Sequence, residues 1–343
     1  MSKDLKNKTL VELESIAENL GWKKYLAKYI FTFIHTKNAE VISNISTLSK
    51  DFRAELAERG YHISNLKTVQ RLTDPDGTVK YLFEADDGNR IETVLLTEGK
   101  RRTLCVSTQV GCAMNCTFCA TAKMKFRRNL TAGEIVDQVN VIQKDKGKIS
   151  NVVYMGMGEP LLNYDAVLKS VRILNHPDGK NIGLRHLAVS TCGQVEALRK
   201  LAEDDIRPRL AISLNAPTDE LRSKIMPINK KHPIAALMRA VKYYQLKTKM
   251  RVTFEYVMIK GVNDSKICAQ SFAKLVRHIK CNVNLIEYNP HRYCPFAGSD
   301  ERIIDKFARI LNDAGIETTV RLKKGHDIKA ACGQLGADLP KPS

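Results

Sequence analysis

The chain has 343 residues, enough for two domains or for one large α/β domain with an appendage, and a chain of this size needs no disulfide staples to hold a core. Hydrophobic residues make up 43% and charged residues 27%, which excludes disorder and collagen-like structure, and no apolar run reaches the roughly 18 residues of a membrane span. Lys and Arg total 55 against 37 Asp and Glu, a formal net charge of +18 that folding does not require and that points to a polyanionic partner, nucleic acid first.

The first ten residues carry three lysines and no hydrophobic stretch, so a soluble, unsecreted, cytoplasmic protein is expected. Residues 8 to about 63 read as a small helical module. Leu10, Leu13, Ile16, Ala17 and Leu20 recur at helical spacing and stop at Gly21, and Trp22 to His35 and Ser49 to Arg59 follow the same logic. From Leu66 to Leu96 the pattern turns to short β-rich runs, with Asp74-Pro75-Asp76-Gly77 as a turn between two of them. Beyond residue 100 short apolar runs alternate with amphipathic stretches. The expected strands are Leu104 to Val110, Asn151 to Met155, His186 to Ser190, Arg209 to Leu214, Val252 to Met258 and Val283 to Tyr288, with Glu317 to Leu322 as a candidate edge strand. Helices begin near Thr131, Tyr164, Gln194, Thr218, Asp264 and Asp300, the first with the capping box Thr131-x-x-Glu134.

Six strand–helix units imply a parallel sheet, as a partial barrel or as an open doubly wound sheet. Both put their chemistry at the carboxyl ends of the strands. The residues just past those ends include Gly111-Cys112, Gly156-Met157-Gly158-Glu159-Pro160, Thr191-Cys192-Gly193, Asn215-Ala216-Pro217 and Asn289-Pro290.

Nine cysteines, an odd number in a chain with no secretory signal, are expected to be reduced thiols. Cys112, Cys116 and Cys119 form C-x3-C-x2-C. Three thiolates in one loop leave one iron of a 4Fe-4S cube open to a small molecule, whereas a zinc knuckle needs a fourth ligand, for which Cys105 is the candidate. Gly156-x-Gly158 is half of a dinucleotide fingerprint, but Leu161 stands where the third glycine belongs, so a Rossmann site is disfavoured.

The triplet, with Phe118 before its last cysteine, resembles the radical S-adenosylmethionine (radical SAM) superfamily. That resemblance implies a partial (β/α)6 radical SAM barrel, with S-adenosylmethionine on the open iron. Arg90 to Val94, Leu104 to Cys112, Met155 to Asn163, Met226-Pro227-Ile228-Asn229 and Ala330 to Leu335 together resemble the RlmN/Cfr family of RNA methyltransferases. The family organisation implies a helical accessory RNA-binding domain at 1–63, a β-rich connector at 64–100, the radical SAM core with a methyl-carrier loop at 101–335 and a tail at 336–343. The implied metal ligands are Cys112, Cys116 and Cys119. Implied S-adenosylmethionine contacts are Gly158, Glu159, Ser190, Ser213, Leu214, Asn215 and Asn289; Asn215 stands where many relatives carry histidine.

The implied chemistry uses two S-adenosylmethionine molecules per turnover. One methylates Cys332; the second, cleaved reductively at one 4Fe-4S cluster, yields a radical that takes hydrogen from that methyl group. Glu92 then matches the base that removes the adenine carbon 2 proton, and Cys105 matches the cysteine that releases product through a transient disulfide with Cys332. The implied substrates are 23S rRNA and tRNA, the implied reductant a flavodoxin or ferredoxin, and the expected state a monomer. Pro160-Leu161-Leu162-Asn163 favours the carbon 2 type over the Cfr type, which acts at carbon 8. A non-catalytic RNA-binding protein with a structural zinc site is the rival from another class.

Basic clusters are expected around the mouth of the barrel: Lys100 to Arg102, Lys123, Lys125, Arg127 and Arg128, Lys230-Lys231-His232, and Arg321, Lys323 and Lys324. Lys144, Lys146 and Lys148 read as a solvated helix end.

Overall fold

A computed structural model describes residues 3–321 and 324–339. Leu322 and Lys323 of the expected edge strand and basic cluster, and residues 340–343 of the expected tail, lie outside the described residues.

Three helices, α1 (Leu10–Asn19), α2 (Leu26–His35) and α3 (Lys50–Glu58), form the N-terminal module. α1 starts at a capping box of Thr9 and Glu12, and α3 at Ser49. Trp22 lies outside α2, stacked on Phe52 with its indole N–H donated to Glu55 at 2.6 Å. Three antiparallel strands follow, β1 (Lys67–Thr73), β2 (Val79–Glu84) and β3 (Arg90–Glu98), and then β4 (Arg101–Cys105), antiparallel to β3.

The expected strand from Leu104 to Val110 is broken. After Cys105 the chain leaves the ladder, because the Gln138 side chain accepts from Ser107 N at 2.8 Å and donates to Ser107 O at 2.9 Å. It resumes as β5 (Gln109–Val110), which pairs with β6 (Arg128–Asn129) in a separate two-stranded sheet. The remaining units are α4 (Ala132–Lys146), β7 (Asn151–Tyr154), α5 (Tyr164–Asn175), β8 (Leu187–Thr191), α6 (Val195–Glu203), β9 (Arg209–Ser213), α7 (Asp219–Ile225), α8 (Ile234–Thr248), β10 (Val252–Met258), α9 (Lys266–Val276), β11 (Cys281–Glu287), α10 (Glu301–Asp313) and β12 (Thr318–Arg321).

The main sheet runs β1-β2-β3-β4-β7-β8-β9-β10-β11-β12, and every pair from β4 onward is parallel. Chain order and spatial order agree from β4 to β12 with no reversal, so there is no switch point of the doubly wound kind. The architecture is the partial barrel of six units. The β-rich run at 67–98 is continuous with that barrel through the β3–β4 ladder.

Alternation along the strands sorts the two faces. Phe254 and Tyr256 pack on Phe272 of α9, and Tyr154 donates toward Ser170 of α5, so these residues point outward to the helices. Their neighbours Glu255, Ser190, Ser213, Val153 and Cys105 point into the lumen, as do Lys80 and Glu92 on the antiparallel extension.

The helical module is locked onto α4 by Lys6. Its side chain is almost fully buried, 2.5 Å from Asp137 and 3.0 Å from Asn65 Oδ1, while Asp137 Oδ2 also accepts from Leu66 N at 2.7 Å. Removing one partner of a buried pair strands the other charge. Lys6→Met is expected to lower unfolding stability by about 3 to 5 kcal/mol, and the double variant Lys6→Met, Asp137→Leu is expected to recover a large part of it. Urea denaturation of the three proteins checks both statements.

Candidate active site

The cluster loop leaves β5 through Gly111, whose φ is +72° and whose Cβ, if present, would stand 2.3 Å from the Lys125 carbonyl oxygen. Only glycine lets the two ends of the loop cross this closely. Between them sit Cys112, Cys116 and Cys119. Cys116 and Phe118 pack with Cys192, Ala216, Ile225, Met226, Ile259 and Tyr288 in an apolar cluster separate from the main core. His291 fastens the loop by donating its Nε2–H to the Phe118 carbonyl at 3.1 Å while Nδ1 accepts from Tyr293 N. Burial lowers the His291 pKa, which keeps the ring neutral for this task.

All three loop thiols have raised pKa values, first because burial disfavours the thiolate; for Cys112 the value is about 12. Among the described residues no three His, Cys, Asp or Glu side chains are grouped to hold a single metal ion. An iron–sulfur cube makes no such demand, since its three cysteines each bind a different iron.

Gly158, with φ +105°, brings the second strand-end loop against Gln109: an added Cβ would sit 2.6 Å from Gln109 Cβ. That contact lets Glu159 N donate to Gln109 Oε1 at 2.8 Å. The Glu159 carboxylate then accepts from Leu161 N at 3.0 Å, Thr191 Oγ1 at 2.7 Å and Cys192 N at 2.8 Å. Burial still raises its pKa, and these donors only oppose the rise. The Cys192 side chain is a fourth hydrogen-bond partner of this carboxylate.

Ser190 donates to Glu255 Oε2 at 2.9 Å and lies 3.3 Å from the Ser213 hydroxyl. Asn289 is buried after β11; its Nδ2 donates to the Glu287 carbonyl, and among the described residues its Oδ1 has no partner. A buried acceptor without a donor is unfavourable, so Asn289 suits a ligand N–H or O–H. Asn215 is differently committed. It sits at φ +58°, with Oδ1 accepting from Val257 N at 2.9 Å and Nδ2 3.3 Å from the Met226 sulfur, so its amide serves the β9–β10 junction. Leu214 is fully buried and contributes backbone alone, its carbonyl accepting from Arg222 at 3.1 Å.

The C-terminal segment crosses the open side of the barrel. Asp76 accepts from Gly325 N and Asp74 from Asp327 N, Ala120 N donates to the Gly333 carbonyl, Thr121 to that of Leu335, and Gln334 donates to the Pro290 carbonyl. Glu92 is buried beneath it: Oε1 lies 3.2 Å from Lys80 Nζ, and Oε2 accepts from Gly336 N at 2.7 Å. Cys332 is thereby carried over the lumen. Both Cys332 and Cys105 are free thiols, near enough for Cys332 to raise the Cys105 pKa. Solvent reaches Cys332, yet protein surrounds it, as for a residue lining a concavity; burial, then the negative charge of Glu255, pushes its pKa up, with Cys119 adding to the rise. Glu92, Cys105, Cys332 and the cluster loop, remote in sequence, thus converge on one mouth. Lys80, Glu255 and Arg222 are also part of it, and no sequence motif marked them.

Residues 106–269 match the model of the radical SAM superfamily. A "probable dual-specificity RNA methyltransferase RlmN" from Dictyoglomus thermophilum is 48% identical over 95% of this chain and 94% of its own length. A protein of the same description from Thermoanaerobacter sp. (strain X514) is 46% identical over 97% of both chains, and a "dual-specificity RNA methyltransferase RlmN" from Geotalea uraniireducens 44% over 98% of both. The chain belongs to the RlmN family. The crystal structure of a radical SAM methyltransferase from Sphaerobacter thermophilus superposes with a TM-score of 0.92 at 44% identity, covering 98% of this chain and 99% of that one. Membership of this family implies S-adenosylmethionine and a 4Fe-4S cluster, and the donor set fits both: three cysteines on one loop, a buried carboxylate at the strand ends and a buried amide oxygen that no described residue pairs.

Two basic clusters change meaning. Lys100 to Arg102 lies at the amino end of β4, tied to Ser150 before β7, and therefore at the end of the barrel away from the mouth. His232 is buried and its pKa is lowered by desolvation, so it adds no charge at neutral pH. Arg128 is held by Glu134 and Asp87. Lys123, Lys125, Arg127, Lys230 and Lys231 remain exposed.

A raised thiol pKa means less thiolate at neutral pH. In cluster-free protein Cys332 is expected to alkylate with iodoacetamide more slowly at pH 7 than a free cysteine, with the rate rising above the ordinary thiol range. Glu255→Gln removes a negative neighbour and is expected to speed the reaction. Peptide mass spectrometry across a pH series measures both, and a slower Gln variant would contradict the assignment.

Proposed function

We propose that the chain is a radical SAM methyltransferase that places a methyl group on carbon 2 of an adenine in 23S rRNA and in tRNA. The observation that carries this reading is the meeting of Cys105 and Cys332 above one lumen beside the Cys112 to Cys119 loop, with the buried carboxylate of Glu92 under the same segment. When bound, the 4Fe-4S cluster and two S-adenosylmethionine molecules per turnover supply a methyl group and a one-electron reductive cleavage fed by a flavodoxin or ferredoxin.

Carbon 2 of adenine lies between two ring nitrogens and is electron-poor, so it offers a methyl cation no nucleophile. Cys332 therefore carries the methyl group on its sulfur. Glu159 receives the ligand ammonium, Asn289 Oδ1 accepts from the ligand, and Ser190 and Ser213 border the lumen on adjacent strands. Glu92 takes the carbon 2 proton, and Lys80 Nζ stands 3.2 Å from its carboxylate. The Cys105 thiolate attacks the Cys332 sulfur, the Cys332–carbon bond breaks with its electron pair passing to the carbon, that carbon takes a proton to become the methyl group, and a transient Cys105–Cys332 disulfide remains. The adenine must be extruded from folded RNA to reach this depth. The helical module and the exposed lysines near the cluster loop supply sequence-independent phosphate contacts.

Cys332→Ala is expected to abolish RNA methylation while iron content and colour persist. Cys105→Ala is expected to trap RNA covalently on Cys332, seen as a nuclease-sensitive shift on a denaturing gel, and free turnover by that variant would remove its assigned role. Mass spectrometry of digested RNA places the methyl group: carbon 8 would make the activity of the Cfr type.

RNA affinity is expected to fall steeply with salt, by about 10³ to 10⁵ between 50 and 200 mM if 6 to 10 phosphates are engaged. Each of Lys123→Ala, Lys125→Ala and Arg127→Ala is expected to reduce the slope of log affinity against log salt by about one, whereas Arg101→Ala, at the far end of the barrel, leaves it unchanged.

A further inference from the structure

Helix α7 carries an arginine, Arg222, that is fully buried. Its Nε donates to the Leu214 carbonyl at 3.1 Å and Nη1 to Asn229 Oδ1 at 3.0 Å; Nη2 donates to the Cys192 carbonyl at 2.5 Å and, at 3.4 Å, to that of Ser213. Every one of these acceptors is neutral. Among the described residues no carboxylate stands within ion-pair distance of the guanidinium: Asp219 is reached only through Asn229, whose Nδ2 donates to Asp219 Oδ1 at 3.0 Å.

A guanidinium keeps its proton, and a buried charge without a counter-charge is strongly unfavourable. Such an arrangement persists where an anion completes it. Helix α7 lies against the cluster loop: Thr117 N donates to the Ile225 carbonyl at 3.0 Å, and Cys116 packs with Ile225 and Met226 at the end of the helix. Four hydrogen bonds hold the guanidinium in place, three to the ends of β8 and β9 and one to Asn229, so its position is fixed by the protein itself. What lies next to it is the loop whose three sulfurs bind as thiolates.

We propose that Arg222 is the built-in counter-charge of the iron–sulfur cluster and raises its reduction potential, an inference that rests on Cys112, Cys116 and Cys119 holding a 4Fe-4S cube. A three-thiolate cube carries one net negative charge at rest and two after one electron enters from a low-potential donor; no bond or proton moves in that step. A fixed positive charge in a dry surrounding favours the more negative state. The Met226-Pro227-Ile228-Asn229 motif gains a purpose from this: Met226 and Ile228 pack beside the cluster loop, and Asn229 orients the guanidinium.

The test compares Arg222→Lys, which keeps the charge, with Arg222→Gln, which keeps donors for the carbonyls and removes the charge. Both proteins are reconstituted anaerobically without S-adenosylmethionine and titrated with dithionite and mediators, with reduced cluster read by electron paramagnetic resonance. The Gln variant is expected to show an about tenfold lower ratio of reduced to oxidised cluster at fixed potential, about 59 mV for a one-electron couple, and the Lys variant to stay close to wild type. Equal potentials in all three proteins, or equal shifts in both variants, would overturn the proposal. If the Gln variant holds no iron, melting of the cluster-free proteins decides. Without a cluster no anion is in direct contact with the charge, so the Gln variant should be no less stable than the Lys variant; a Gln variant that unfolds where the Lys variant holds, or the unfolding of both, would sink the idea. Wild-type protein that takes up no iron would overturn the cluster reading instead.

Discussion

The open side of a partial barrel has no ladder to satisfy the backbone that covers it, yet buried N–H and C=O groups need partners. Here the covering chain is the segment 325–336, and its partners are drawn from every wall of the mouth: Asp74 and Asp76 on the β1–β2 turn, Glu92 on β3, Ala120 and Thr121 after the cluster loop, and Pro290 after β11. This is what makes the site one object. Cys332 can face Cys105 only because those contacts fix its neighbours on both sides, and Glu92 is buried only because Gly336 caps it.

The same contacts bind the chemistry to the fold. Glu92 serves as a dock for the carrier segment while Lys80 spans the carboxylate and, at 3.4 Å, the Lys329 carbonyl. Movement of this segment therefore changes the surroundings of Glu92, and on the proposed reading the base and the methyl carrier are set in place together. The antiparallel strands β1 to β3 are thus more than an edge extension: they supply the floor on which residues 325–336 are folded.

Elements whose information is local were legible in the sequence. The capping box at Thr131 and Glu134, the Asp74 to Gly77 turn and the apolar runs of β7 to β11 are set by neighbours in the chain, as is the spacing of the cluster loop. Glu159 and Asn289 stood out because strand ends are where this architecture puts its sites. What stayed hidden depends on partners remote in the chain. In Val79-Lys80-Tyr81-Leu82-Phe83 the alternation places Lys80 on the face opposite Tyr81, which reads as solvent; that face is the lumen, and the chain that buries it comes 249 residues later. Glu255 within an apolar strand and Arg222 on a short charged helix looked equally ordinary. The break after Cys105 was invisible for the same reason, since it is the Gln138 amide that takes Ser107 out of the ladder.

Charge gives the site its sense of direction. Burial raises the pKa of Cys105, Cys112, Cys116, Cys119, Cys192, Cys332 and Glu159, so every one of these groups resists becoming an anion within the bare protein. Seven groups leaning the same way describe a cavity that gains from positive charge. S-adenosylmethionine carries an ammonium and a sulfonium, and irons in a cube are positive centres; each relieves the desolvation that the protein alone leaves in place. The thiols that must react are thereby held as thiols until the partner that ionises them arrives. Cys332 alone in water would be a better nucleophile and a less selective one. With Glu255 beside it, Cys332 gives up its proton more readily once a cation stands in the same lumen, and S-adenosylmethionine is such a cation.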